Sequence, residues 1–376
     1  MNSALPATVD APRSVTTSRP HLTAAELDAV GRVMASGYLG MGPETQAFEA
    51  ELARYLGGNR QVVCVNTGTS ALHLAVAALD LHPGDEVLVP TFTFVATFQA
   101  ITAAGGRPRL CDVHANSGLI DLAHARQRLR AGVKAIMPVH YAGYSGNLDE
   151  VYAFADEHGL RVVEDAAHAF GSRDHGRMVG SFGDLTCFSF DPIKNITSGE
   201  GGAVVTACEQ TATRLRAMRS LGLQANDARF PDGSLDVVST GWRFHMPDLA
   251  AAVGRVQLAR FERELKPMRQ TLASQYRQQL TGAPAISLLA SDSDTVPHIM
   301  PVRVQAERRS ELRQRLTAAG FETRVHYRPG HHLSAFADQA DFPGAELLFA
   351  EVLSLPLHPG VTAADVDAIT DLCRAL

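Results

Sequence analysis

One lysine in this chain sits in a setting suited to covalent chemistry. Lys194 lies within Ser189-Phe190-Asp191-Pro192-Ile193-Lys194-Asn195-Ile196-Thr197-Ser198-Gly199-Glu200-Gly201-Gly202, a glycine-flanked, hydroxyl-rich loop that is poor material for a core. A flexible amine placed by small residues can form a Schiff base with a carbonyl, and Ser189, five residues earlier, can hold an anion beside it. Upstream, Leu160-Arg161-Val162-Val163-Glu164-Asp165 is a buried-looking run that ends in an acid, with His168 close behind. Ligands gather at the carboxyl ends of strands in open α/β sheets, so an acid there has a use beyond solubility. A third segment, Asn66-Thr67-Gly68-Thr69-Ser70, joins a strand-like run to a helix-like one. The free N–H groups and positive dipole end of such a helix bind anions, and Gly68 lets the backbone come close. Singly, each has a plainer reading: an exposed loop lysine, a solvated acidic pair, or an ordinary turn capped by Thr69.

These residues need a scaffold, and the periodicity supplies one. Apolar strand-like runs alternate with helical spacing, the pattern of a sheet covered on both faces. A helix is expected over Thr23 to Ser36, with Thr23 as N-cap, Glu26 completing a capping box and Gly37 ending it. Strands are expected at Gln61 to Val65, Glu86 to Val89, Lys134 to Val139 and Leu160 to Glu164, and an alanine-rich helix at Thr69 to Leu79.

In this order the segments resemble those of the DegT/StrS-type pyridoxal-phosphate-dependent sugar aminotransferases. The likeness covers roughly residues 14 to 370. It implies a fold-type I α/β architecture, with a mostly parallel central sheet in a large cofactor domain (21–245) and a smaller C-terminal α+β domain (246–376), preceded by a flexible arm (1–20). By resemblance Gly68, Thr69, Ser70 and Ser189 hold the cofactor phosphate, and Lys194 carries the Schiff base. Phe94, in Thr91-Phe92-Thr93-Phe94-Val95-Ala96-Thr97, stacks on the pyridine ring. Read without the family, a Phe among apolar neighbours is core packing. Asp165 pairs with the ring nitrogen and keeps it protonated, and His168, matching Asp-x-x-Gln/His, lies beside the ring. The segment Gly241-Trp242-Arg243-Phe244-His245-Met246 departs from the family pattern, with Arg243 where an Asn usually reaches the neighbouring subunit's phosphate. A guanidinium can serve there too. Tyr38, His326, Tyr327 and His331 are candidates for substrate contacts, the last three equally placed to be structural. His326, His331 and His332 are not read as a metal site, because no acidic ligand stands at regular spacing from them.

Composition limits the function classes. The chain has 376 residues, 45% hydrophobic and 20% charged, enough for a large core and a second domain. A net charge of -6 gives no basic footprint for nucleic acid. The five cysteines are scattered without CxxC spacing and read as reduced thiols of a cytoplasmic protein. Residues 1–20, with Pro6, Pro12 and Pro20 and no apolar core, do not read as a signal peptide. No apolar run approaches the ~20 residues of a membrane-spanning helix.

The resemblance implies amino transfer from an amino acid, commonly glutamate, to a nucleotide-linked keto sugar, in a homodimer with shared active sites. His168 and the wording around Lys194 lean toward C4 of a 4-keto-6-deoxy sugar. Amination at C3, synthesis of an aminated aromatic ring, and a non-catalytic cofactor-binding regulator are the alternatives. Dehydratase relatives carry histidine in place of the lysine, so Lys194 argues against that class.

Overall fold

The computed structural model describes residues 14–223 and 235–376. Helices α1 (Ala24–Ser36) and α2 (Pro43–Tyr55) lead into strand β1 (Gln61–Val65), followed by α3 (Gly68–Ala77), β2 (Glu86–Pro90), α4 (Val95–Ala103), β3 (Arg107–Cys111), α5 (Leu122–Gln127) and β4 (Val133–Ile136). Helix α6 (Leu148–His158) and β5 (Arg161–Asp165) precede a small ribbon, β6 (Arg173–Asp174) with β7 (Arg177–Met178). Then come β8 (Leu185–Ser189), β9 (Gly202–Thr206), α7 (Glu209–Arg219) and α8 (Asp248–Arg260). The remainder is α9 (Lys266–Leu280), β10 (Ile286–Leu288), β11 (Met300–Val304), α10 (Ala306–Ala318), α11 (Pro343–Glu351), β12 (Val352–Leu355) and α12 (Ala363–Arg374).

Seven strands form the main sheet in the order β1-β9-β8-β5-β4-β2-β3, with β9 antiparallel to both neighbours and the others parallel. Burial on both faces explains the near-continuous apolar runs Gln61–Val65 and Glu86–Pro90. One face packs Val63, Val65, Val87, Val89 and Val163 under α3 and α4; the other packs Val62, Cys64 and Phe188 against Phe48, Phe170 and Phe261. All five cysteines are free thiols, four of them buried.

The expected helix over Thr23–Ser36 forms with its capping box and with Gly37 left-handed at its end. Two boundaries differ from expectation for local reasons. Strand β4 stops at Ile136, because Pro138 has no N–H to continue the ladder, yet Met137 N still donates to Leu88 O and Val139 still bridges to Asp165. Helix α3 is capped by Thr67, not Thr69, since the Thr67 hydroxyl accepts from Ser70 N at 3.0 Å.

A second sheet, β10-β11-β12, is antiparallel and covered by α9, α10 and α12 around Val302, Leu312, Leu353 and Ile369. Within the expected arm, residues 1–13 lie outside the described residues, while Val15 is buried and exchanges backbone hydrogen bonds with Gly320 and Glu322 at the end of α10. Helix α8 lies beyond the expected domain boundary, and it packs on α1 and α2.

Candidate active site

Four segments singled out by sequence converge because four parallel strands, β1, β2, β5 and β8, end on the same side of the sheet. The turns that follow, with segments of the second sheet's unit opposite them, line a cavity of about 1040 Å³. Thr67, Gly68 and Thr69 come from the β1 end, Thr93 and Phe94 from β2, Asp165 and His168 from β5, and Ser189 and Lys194 from β8 and its loop.

Alternation along β5 separates two adjacent acids. Glu164 is fully buried on one face, bonded to His140 at 2.9 Å, Tyr152 at 2.7 Å and Thr186 at 3.1 Å, so it is no solvated turn residue. Asp165 faces the cavity. Its Oδ2 accepts from Thr97 Oγ1 at 2.8 Å and its Oδ1 from Ala167 N at 3.2 Å. Burial raises its pKa, while Thr97, Ala167 and the Lys194 charge act to lower it. Thr93 stands behind Thr97 at 3.0 Å, giving a hydroxyl chain that fixes the carboxylate.

Gly68 is required by close approach: a Cβ there would stand 2.7 Å from the Cβ of Ser189 and 2.8 Å from its Oγ. The first helical hydrogen bond of α3 is Ala71 N to Thr67 O, so the Gly68 and Thr69 N–H groups precede the helical ladder at the cavity wall. With Ser189 they form an anion cradle at a helix N-terminus.

Lys194 Nζ lies 3.5 Å from His298 Nε2. Burial pulls the ammonium down to about 8, against the attraction of Asp191 and Asp165 and with the help of Arg269. His298 is 1% exposed, its Nδ1 has no partner, and its ring centroid is 4.4 Å from that of His168. Burial, then the Lys194 charge, holds both imidazoles well below the usual histidine pKa, so both are neutral. His168 Nδ1 accepts from Ala142 N at 3.3 Å, which leaves its Nε2 to donate to Tyr327 Oη at 3.0 Å. Phe94 is 55% exposed, its ring 5.6 Å from that of Tyr327. An open aromatic face at a cavity mouth is available for stacking.

His326 also lines the cavity, with Nδ1 bonded to Ser354 Oγ at 2.9 Å and its pKa pushed down to about 4 by burial. Other expected site residues lie elsewhere. The Ser70 side chain turns away to Asn66 at 2.7 Å and Thr67 at 2.9 Å, because it completes the cap of α3. Tyr38 is exposed outside the cavity, its hydroxyl donating to Met41 O at 3.0 Å. Arg243 is exposed beside Ser220, away from its own chain's cavity. His331 stacks on Phe342 and bonds Thr91 Oγ1 and Glu346 Oε1, both at 2.8 Å, a structural role. His332 reaches the same Glu346 oxygen at 2.6 Å, so the fold supplies a carboxylate that spacing had not placed beside these histidines. Sequence reasoning gave no role to Thr67, Thr97 or His298. Thr97 closes the quoted Thr91–Thr97 segment and could have been read from it; His298 carries no local signal.

An amine whose pKa burial brings down toward neutrality, beside two carboxylates, suits Schiff-base chemistry, and it needs a partner that brings the carbonyl. The cavity fits pyridoxal phosphate: the cradle of Gly68, Thr69 and Ser189 would take its phosphate, Phe94 a ring face and Asp165 the ring nitrogen. Fold and site together define a fold-type I pyridoxal-phosphate-dependent aminotransferase. The sequence profile of the DegT/DnrJ/EryC1/StrS aminotransferase family matches residues 20–374, and the chain belongs to that family. Among solved structures it is similar to DesV of S. venezuelae, in complex with a ketimine intermediate (36% identity, 94% of each chain covered, TM-score 0.87). It is also similar to the aminotransferase TlmJ from Streptoalloteichus hindustanus (34% identity, 96% of this chain and 98% of that one, TM-score 0.90). PseC of Helicobacter pylori, an aminotransferase involved in the biosynthesis of pseudoaminic acid, matches at 26% identity over 96% of this chain and 98% of that one, with a TM-score of 0.90. No helix among the described residues is long and apolar enough to cross a membrane.

Proposed function

We propose that this enzyme moves an amino group from glutamate to a nucleotide-linked keto sugar, at C4 of a 4-keto-6-deoxy sugar. The observation that carries the reading is Lys194 facing Asp165, Phe94 and the anion cradle in one cavity. At about 1040 Å³ that cavity stands at the upper end of ligand-pocket sizes, which leaves room for an extended substrate beside a cofactor. Its outer wall carries Arg313 and Arg324, suited to an anionic group such as a diphosphate.

Bound pyridoxal phosphate supplies an aldehyde that carries the amino group and a ring that accepts the electron pair left when the donor α-proton departs. The protein does the rest. Lys194, as the free amine, takes that α-proton and later delivers one to the sugar carbon that receives nitrogen. Asp165 would hold a proton on the ring nitrogen, and its hydrogen bonds from Thr97 and Ala167 fix its direction. Phe94 and the anion cradle would hold the cofactor ring against the cavity wall, within reach of the Lys194 amine that moves the proton.

A homodimer with shared sites fits the surface. Leu22, Leu27, Met34, Tyr38 and Leu39 are exposed along one stretch, and Tyr38 and Arg243 lie outside their own cavity, where they can serve a partner's. We read this as a cytoplasmic enzyme that works without a membrane partner, in keeping with described helices too short or too polar to cross one.

The test is incubation of the loaded enzyme with glutamate and a panel of 3-keto and 4-keto nucleotide sugars, locating the new amine by NMR. Amine at C4 is expected. Amine at C3, or turnover only with a cyclic non-sugar ketone, replaces this reading; cofactor binding without turnover of any donor makes the protein a regulator.

A further inference from the structure

Arg269, on α9, is 2% exposed and makes no ion pair among the described residues. Its hydrogen bonds go to three backbone carbonyls: Nη1 to His298 at 3.2 Å and Leu357 at 3.4 Å, Nη2 to Lys194 at 3.3 Å. Nε has no partner. Two of these carbonyls belong to the residues whose side chains meet at 3.5 Å. One guanidinium therefore fixes both ends of the Lys194–His298 contact, tying the lysine loop to the unit built on the second sheet.

A buried cation surrounded only by dipoles is costly, and an apolar side chain of similar size would fill the space more cheaply. Burial lowers the guanidinium's pKa to about 10, so it stays charged at neutral pH. The groups facing Lys194 are Asp191 from its own loop, Asp165 from β5, His168 from the turn after β5, His298 and His326 from the second unit, and Arg269 from α9. Burial keeps all three histidines neutral. That leaves Arg269 as the fixed cation acting on Lys194 among the described residues, opposing the two carboxylates.

We propose that Arg269 is a positioning residue for the aminotransferase: it sets the Lys194–His298 contact through the two carbonyls, and its charge, which no carboxylate neutralises among the described residues, adds to the larger effect of burial in disfavouring a second cation at the Lys194 amine. The inference rests on the lysine chemistry of the family and is independent of which sugar is aminated.

The chain has only three lysines, Lys134, Lys194 and Lys266, so ionisation of Lys194 can be read directly. The cofactor-free protein is reductively methylated with a ¹³C label and titrated by NMR, with the other two lysines as internal references. In Arg269→Gln the Lys194 midpoint rises by about half a unit or more, roughly a threefold gain in proton affinity. In Arg269→Lys, which keeps the charge but cannot span three carbonyls as a planar fork does, the midpoint stays at the wild-type value while turnover falls about tenfold. A folded glutamine variant with an unmoved midpoint overturns the electrostatic half of the proposal. If the glutamine variant does not fold, the lysine variant decides: a raised midpoint despite the retained charge overturns it equally. Wild-type turnover in the lysine variant overturns the positioning half. The titration needs no sugar and no turnover, so its failure is separable from failure of the proposed function.

Discussion

The two walls of the cavity are built by different rules. On the sheet side, Asp165, Gly68, Thr69 and Ser189 sit at or just after strand ends, where Asp165 is fixed by Ala167 in its own turn and by Thr97 of α4, and Gly68 packs closely against Ser189. On the opposite side, His326 and Tyr327 arrive on connections of the second unit, with His298 buried beside Lys194 and His168, and these groups are held by ring contacts and single hydrogen bonds. The sheet side carries charge where the reaction needs it. Near Lys194 the opposite side presents neutral imidazoles, held far below their ordinary pKa by burial, while the charges of Arg313 and Arg324 lie farther out. We read this as a division of labour, chemistry on the strand ends and tuning and recognition across the cleft.

The largest break in that division is loss of the reacting amine. Lys194→Ala should lower turnover with glutamate by about ten-thousand-fold, the upper end of what a positioned acid–base group supplies. His298→Ala, across the cleft, should cost far less in the same assay. Comparable losses at the two positions would mean that the imidazole, too, transfers protons.

This contrast also explains what could be seen in the sequence. Asp165, Phe94, Gly68 and Lys194 are legible because each belongs to a short segment whose neighbours dictate its geometry, and the strand order then brings those segments together. Thr67 was passed over for Thr69 as a cap because either hydroxyl suits the turn, and only the backbone angles decide; Thr67 is extended, whereas Thr69 is already helical. Ser70 shares the motif yet points away for the same reason. His298 and Arg269 were invisible, since their partners lie 104 and 75 residues away and nothing local marks them. His331 was offered to the substrate and belongs instead to Thr91, Phe342 and Glu346, contacts that only the tertiary fold creates.

A smaller effect probes how the far wall tunes the near one. Lys194 has its pKa lowered to about 8, and its neutral form is the nucleophile. Capture of an uncharged aromatic aldehyde, trapped by cyanoborohydride, should therefore be flat above pH 8 and fall about tenfold per unit below it, close to a hundredfold by pH 6. The sign follows from depression of the folded value: the amine loses its proton earlier than a solvated lysine does. A rate that continues to climb toward pH 10 would show a solvated amine, and the enclosing wall would then have no part in its reactivity.

The smallest effect belongs to recognition. With His168 Nδ1 accepting from Ala142 N, its Nε2 hydrogen goes to the Tyr327 oxygen, and the phenol's own hydrogen is left to point into the cavity toward a ligand. Tyr327→Phe removes that donor and strands a buried N–H on His168, a stability cost of about 1–3 kcal/mol. The donated hydrogen bond acts on bound substrate in ground state and transition state alike, so its loss should raise KM for the sugar several-fold with kcat little changed. Thermal unfolding alone cannot separate the two consequences, but the split between KM and kcat can, because stranding the imidazole affects the folded protein whether or not sugar is bound. A fall in kcat with KM unchanged would place Tyr327 among the reacting groups and dissolve the distinction between the two walls.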